Sequence, residues 1–114
     1  MTTVYVRTFS FKDSLSDAEV LEEVKFLFEE VVPAVENVEG VRSAKVYSGA
    51  GALRAQLRAV IEMDDSAVYE RMLVAPGLSQ LLGRAYGGWD LKTSTQVFLR
   101  EVTPELIVAI SGTD

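Results

Sequence analysis

The 114-residue chain has no cysteine and no histidine. Without cysteine there is no disulfide framework, no thiolate nucleophile and no zinc ribbon. Without histidine, the commonest general base near neutral pH and the commonest transition-metal ligand are both missing. No metal site and no cofactor is expected. No apolar run approaches the roughly 20 residues that span a bilayer. The opening Met1-Thr2-Thr3-Val4-Tyr5 shows no basic start with an apolar stretch behind it, so neither a membrane partner nor a secretion signal is expected and a cytoplasmic location is the default. Basic residues are outnumbered, eleven Lys and Arg against seventeen Asp and Glu, for a net charge of −6. Nucleic acid needs a basic footprint and is excluded as a partner.

What is present suits one globular domain over residues 1–114. Apolar residues make up 48 % and charged residues 25 %, which argues against disorder. The charge is uneven. Asp17 to Glu39 holds eight acidic residues and one Lys, whereas Arg7, Arg42, Arg54, Arg58 and Arg100 fall in strand-like segments.

Residues 3–12 alternate at period two and read as a strand, with Val4, Val6 and Thr8 on one face and Tyr5, Arg7, Phe9 and Phe11 on the other. Ser16 and Glu19 have the spacing of a capping box. Val20, Leu21, Val24, Leu27, Phe28, Val31 and Val35 then recur at helical spacing. Pro33 should kink or restart that helix, because it lacks an N–H and crowds the preceding turn. Gly40 should end it. Residues 41–48 read as a second strand, Gly49-Ala50-Gly51 as a hairpin connection, and residues 53–63 as a third strand. Leu53, Ala55, Leu57, Ala59, Ile61 and Met63 share one of its faces. Asp64-Asp65-Ser66 starts a second helix, Ala75-Pro76-Gly77 breaks it, and Leu78, Leu81, Leu82 and Ala85 mark a further short one that Gly87-Gly88 stops. Residues 93–102 form a fourth strand, and Thr103-Pro104-Glu105 begins a final helical segment.

The order strand, helix, strand, strand, helix, strand predicts an α+β, ferredoxin-like βαββαβ domain with a four-stranded antiparallel sheet and two helices on one face. The covered face is expected to carry Leu53, Leu57 and Ile61. The bare face is expected to carry Tyr5, Arg7, Phe9, Gln56, Arg58, Gln96, Phe98 and Arg100. Aromatics and arginines are enriched in interface cores, and Phe9 and Phe98 left in water would invite aggregation. This face therefore predicts a homodimer with sheets packed together about a two-fold axis. Its guanidiniums would need Glu62, Glu101 or backbone carbonyls nearby. The competing expectation is a solvated face of long amphipathic side chains.

With these elements in place the chain resembles the dimeric α/β-barrel superfamily, which includes EthD-like, NIPSNAP-like and antibiotic-biosynthesis-monooxygenase-like domains. The resemblance lies in the strand order and in Gly40-Val41-Arg42-Ser43-Ala44 after the first helix. It extends to Val60-Ile61-Glu62-Met63-Asp64-Asp65, the break at Pro76-Gly77 and the closing Gln96-Val97-Phe98-Leu99-Arg100. It implies dimerisation through the sheets and a small-molecule cleft between sheet and helices. Some members oxidise aromatic polyketides without a cofactor. Members that hold haem through a His ligand find no matching residue here.

Tyr47, Tyr69, Tyr86 and Trp89 are the candidate cleft residues. Tyr86 and Trp89 flank Gly87-Gly88, where they would either line the mouth of a cleft for a flat apolar ligand or plug the open end of the core. Gln56 and Arg58 could orient an anionic or carbonyl oxygen, or join a buried interface network. Gly49-Ala50-Gly51 lacks the third glycine and the following helix of a phosphate loop. Asp64-Asp65 has oxygens suited to Mg²⁺ or Ca²⁺, although helix capping explains the pair more simply. Ser43 lacks a base, since Lys45 is two residues away on the same strand face. Three functions remain open. The first is a homodimeric protein binding a small apolar or aromatic molecule. The second is a cofactor-independent monooxygenase or isomerase acting on an aromatic or polyketide-like substrate. The third is a structural or assembly module.

Overall fold

Strands β1 (Thr3–Phe9), β2 (Val41–Tyr47), β3 (Leu57–Met63) and β4 (Thr95–Arg100) form one antiparallel sheet in the order β2-β3-β1-β4. The structure is a computed structural model and describes residues 2–49 and 53–112. Helix α1 (Asp17–Phe26) runs through a π-helical turn (Leu27–Val31) into α2 (Val32–Glu36). Helices α3 (Ala67–Val74) and α4 (Leu78–Tyr86) precede β4, and α5 (Pro104–Ser111) follows it. This is the ferredoxin-like arrangement read from the sequence.

Local chemistry explains the elements. Ser16 Oγ accepts from the Glu19 N–H at 3.1 Å while Glu19 Oε1 accepts from the Ser16 N–H at 2.9 Å, so the capping box is closed at both ends. Hydrogen bonding to Ser16 holds the Glu19 carboxyl below its ordinary value. Pro33 leaves no N–H for the carbonyl one turn back, and the helix widens just ahead of it. There the Val32 N–H donates to the Leu27 carbonyl, five residues earlier, and the α-helix resumes with Pro33 in its first turn. Gly40 turns the chain into β2 at φ +95°, and a Cβ there would lie 2.6 Å from Val68 Cγ2.

Three strands are shorter than the alternation suggests. β3 begins at Leu57, because Gln56 takes a left-handed φ of 56° and swings the preceding residues off the sheet. Arg54 there reaches the entry of α1, its guanidinium donating to the Leu15 carbonyl at 2.8 Å and to Asp17 at 2.9 Å. Leu53 is consequently exposed rather than packed under the helices. β1 stops at Phe9, β4 starts at Thr95, and Phe11 makes only an isolated bridge to Trp89. Of the Gly49-Ala50-Gly51 connection, only Gly49 lies within the described residues.

Register decides which face the helices cover. Tyr5 pairs with Ile61 and Phe98, Arg7 with Ala59 and Gln96, and Phe9 with Leu57. Directly opposed residues share a face. Tyr5, Phe9, Leu57 and Ile61 are buried in one core with Val20, Leu27, Val31, Met72 and Leu78 from the helices. Burial of each such side chain contributes roughly 1.5–3 kcal/mol. Tyr5, Arg7, Phe9, Gln96, Phe98 and Arg100 therefore lie on the helix side of the sheet, not on the bare face expected for them. Of that group only Arg58 is on the bare face, opposite Thr8 and Tyr47. The bare face instead has Val4, Val6 and Val60 at its centre and Val97 and Leu99 on the edge strand β4, with Lys45, Arg58 and Glu62 around them. Among the described residues no helix is long and apolar enough to cross a membrane.

Candidate functional site

Between the helix-side face of the sheet and the covering helices lies a cavity of about 60 Å³. Its floor is Tyr5, Arg7 and Phe9 of β1, Ala44 and Val46 of β2, and Ala59 and Ile61 of β3. Its roof is Leu27 and Val31 of the π-helical turn, Val32 and Val35 of α2, Tyr69 and Met72 of α3, and Leu82 and Tyr86 of α4. Trp89 closes one end. The small side chains Ala44 and Ala59 leave the space that larger residues in β2 and β3 would fill.

The aromatic walls are mutually braced. Phe9 and Trp89 stack with centroids 3.9 Å apart, and Tyr86 lies 4.8 Å from Trp89. Tyr5, Tyr69 and Phe98 form a second cluster, each pair about 5 Å apart, with Tyr69 and Phe98 edge to face. Trp89 is held by its backbone. The Lys12 N–H donates to the Gly88 carbonyl at 2.9 Å, and the Asp90 N–H donates to the Ser10 carbonyl at 2.8 Å. Those bonds staple the loop after α4 to the end of β1. Trp89 Nε1 is buried and has no acceptor among the described residues, a condition that costs about 1–3 kcal/mol. Tyr86 and Trp89 also face an outer groove shared with Lys12, Asp90 and Lys92, so they form the wall between cavity and surface.

Arg7 is the cationic centre of the cavity. Its Nε donates to Ser94 Oγ at 2.9 Å and its Nη1 to Gln96 Oε1 at 3.0 Å. Ser94 Oγ in turn donates to the Thr8 carbonyl, and the Tyr5 hydroxyl donates to the same Gln96 oxygen at 2.8 Å. The guanidinium carbon lies 5.4 Å from the Tyr86 ring centre and 5.7 Å from that of Trp89, within cation–π range. Both polar partners of Arg7 are neutral; Glu62, expected near a buried guanidinium, sits on the opposite face of the sheet. Burial pushes the Tyr5 hydroxyl up to about 12, with Arg7 opposing, and raises Tyr86 for the same reason. Both phenols stay protonated at neutral pH, and Tyr5 donates its proton to Gln96 Oε1.

Of the four cleft candidates, Tyr69, Tyr86 and Trp89 come together around the cavity. Tyr47 does not: it is exposed on the bare face at the end of β2. Gln56 is outside the cavity, with its N–H donating to Ser10 Oγ. Arg7 and Phe9 belong to the cavity although their alternation placed them on the dimer face. The missed signal is that β1 is apolar on both faces, so alternation alone does not say which is covered. Asp64 pairs with Arg42 at 2.7 Å and Asp65 accepts from the Ala67 N–H at 2.9 Å, which accounts for both carboxylates structurally. Among the described residues no three carboxylates gather into a cation-binding cluster.

No family model matches the chain, and no curated protein matches it. Solved structures do. A dimeric protein of unknown function and ferredoxin-like fold from Bacteroides fragilis aligns with a TM-score of 0.70 at 14 % identity, over 88 % of this chain and 96 % of its own. SnoaB, a cofactor-independent oxygenase from Streptomyces nogalater, aligns with a TM-score of 0.70 at 13 % identity, over 90 % and 97 %. The shared fold is the ferredoxin-like one. An EthD family protein from Bacillus halodurans aligns with a TM-score of 0.63 at 16 % identity, over 90 % and 100 %. At these identities the likeness is one of fold, and function has to be argued from the cavity.

Proposed function

We propose that the chain is a homodimeric small-molecule-binding protein whose ligand enters the cavity between the helices and the sheet. The observation that carries this reading is the cavity itself, an apolar space walled by Tyr5, Phe9, Tyr69, Tyr86 and Trp89 around one guanidinium. A concave apolar site with few convergent polar groups is the usual form of a ligand pocket. The bare sheet face supports the second copy. Val97 and Leu99 are 46 % and 49 % exposed there, beside Val4, Val6 and Val60. A contiguous apolar sheet face with charged margins has the composition of an interface. A thermal-shift screen with flat aromatic compounds tests the ligand half: binding raises the melting temperature, and a flat response over a broad set contradicts it and favours a purely structural module.

A second reading is cofactor-independent oxygenation. The fold shared with SnoaB raises it, and Arg7 together with the protonated Tyr5 and Tyr86 supports it, because such donors stabilise a substrate anion in a water-poor site. Oxygen consumption with an anthrone-type substrate, abolished by Arg7→Gln, is the result it requires.

A further inference from the structure

We propose that the cavity takes a single-ring aromatic carboxylate, with its carboxylate on Arg7. The inference rests on the reading of the cavity as a ligand site and names the ligand's class.

Charge points to an anion. A guanidinium has five N–H donors. Arg7 uses its Nε–H and one Nη1–H on Ser94 and Gln96, and its Nη2 meets no acceptor among the described residues. No carboxylate lies within ion-pair distance of it among those residues. Arg42, Arg54 and Arg84 differ, since each pairs with an acid. A half-buried cation against apolar walls is unfavourable without a counter-ion. A planar oxyanion matches the geometry of the open fork.

An orphaned donor points the same way. Trp89 lines the same cavity, is 4 % exposed, and keeps a buried Nε1–H with no acceptor among the described residues. Buried polar groups in folded proteins are nearly always paired, so an acceptor brought by a ligand completes the site.

Shape and size narrow the class. The rings of Tyr5, Tyr69, Tyr86 and Trp89 line the cavity and suit contact with another flat ring. A volume of about 60 Å³ is under half of the roughly 150 Å³ of a dry cavity that takes benzene, so a single ring enters only by displacing the Tyr86–Trp89 wall, and a fused polycyclic is too large.

Trp89 is the only tryptophan in the chain, so its fluorescence reports on the wall between this cavity and the outer groove. The experiment titrates the full chain with benzoate and with benzamide, its neutral near-isostere, and follows fluorescence and melting temperature together. Benzoate should bind about tenfold tighter or more, the scale of a charge-assisted hydrogen bond. Arg7→Gln should abolish that preference and leave benzamide within about twofold, while Arg7→Lys keeps part of it. Equal affinities for benzoate and benzamide in the unaltered protein overturn the proposal and leave the cavity reading standing. If benzoate, benzamide and toluene all fail to change fluorescence or melting, both fall. The comparison within the unaltered protein decides the matter even if the Arg7 variants do not fold.

Discussion

Phe9 and Trp89 lie face to face, their ring centroids 3.9 Å apart and their planes 12° from parallel. Phe9 ends the first strand and Trp89 precedes the last, so the stack joins chain segments some 80 residues apart. It closes one end of the core and forms one end of the cavity.

Removing that contact should be costly. Trp89→Ala deletes a nearly fully buried ring and should lower stability by about 3–5 kcal/mol. Trp89→Phe retains the stack and removes the orphaned Nε1–H, so its cost should be much smaller. Urea unfolding followed by far-UV circular dichroism measures both; equal costs for the two variants would remove the stack's assigned weight.

Gly40 makes a separate prediction. It combines φ +95° with a close neighbour, since an added Cβ would lie 2.6 Å from Val68 Cγ2. Gly40→Ala should therefore destabilise by about 1–3 kcal/mol through both backbone strain and a clash. Gly83 has open space around it and no left-handed φ. Being inside α4, Gly83→Ala should stabilise by several tenths of a kcal/mol. Opposite signs for the two substitutions in thermal unfolding are the expected outcome.

The succession of strands and helices, the capping box at Ser16 and Glu19 and the turn at Gly40 are legible in the sequence from neighbours a few residues apart, although the helix itself ends at Glu36 with Asn37 as its cap, short of Gly40. The covered face of β1 is not. Val4 and Val6 are apolar, and so are Tyr5 and Phe9; period two separates the sets without ranking them. The larger aromatics pack under the helices, and Arg7 goes with them because its head can reach Ser94 and Gln96 at the cavity's edge. Nor does alternation reveal where β3 begins. Leu53 to Gln56 continue the pattern, yet the left-handed Gln56 takes them off the sheet. Tyr69, Tyr86 and Trp89 can be nominated as aromatics near breaks in the second helical region, but Tyr47 cannot be told from them without knowing the register.

The raised Tyr5 pKa predicts alkaline instability. In the unfolded chain a tyrosine ionises near its ordinary value of about 10, whereas in the fold Tyr5 holds its proton up to about 12. The unfolded state thus binds fewer protons in that window, and stability falls as pH rises from about 10 through 12. Tyr5→Phe should flatten this part of the stability–pH curve. An unchanged slope in that variant would assign the effect to other groups.

The bare sheet face predicts the assembly. Val97→Glu places a carboxylate among its apolar side chains, beside Val6, and should weaken self-association at least about tenfold, since a buried unpaired charge is strongly unfavourable. Sedimentation velocity should show the unaltered chain as a dimer at micromolar concentration and the variant as a folded monomer. A monomeric unaltered chain would remove the dimer.

The cavity beneath the helices is, above all, a place where a ligand should sit. The single tryptophan gives one indole Nε1–H signal in a ¹H–¹⁵N spectrum, and that proton belongs to the cavity wall. Added benzoate should move it progressively to saturation as the orphaned donor changes its surroundings, with Arg7→Gln weakening the response. An indole signal that stays in place at millimolar benzoate, benzamide and toluene alike would contradict a ligand site there.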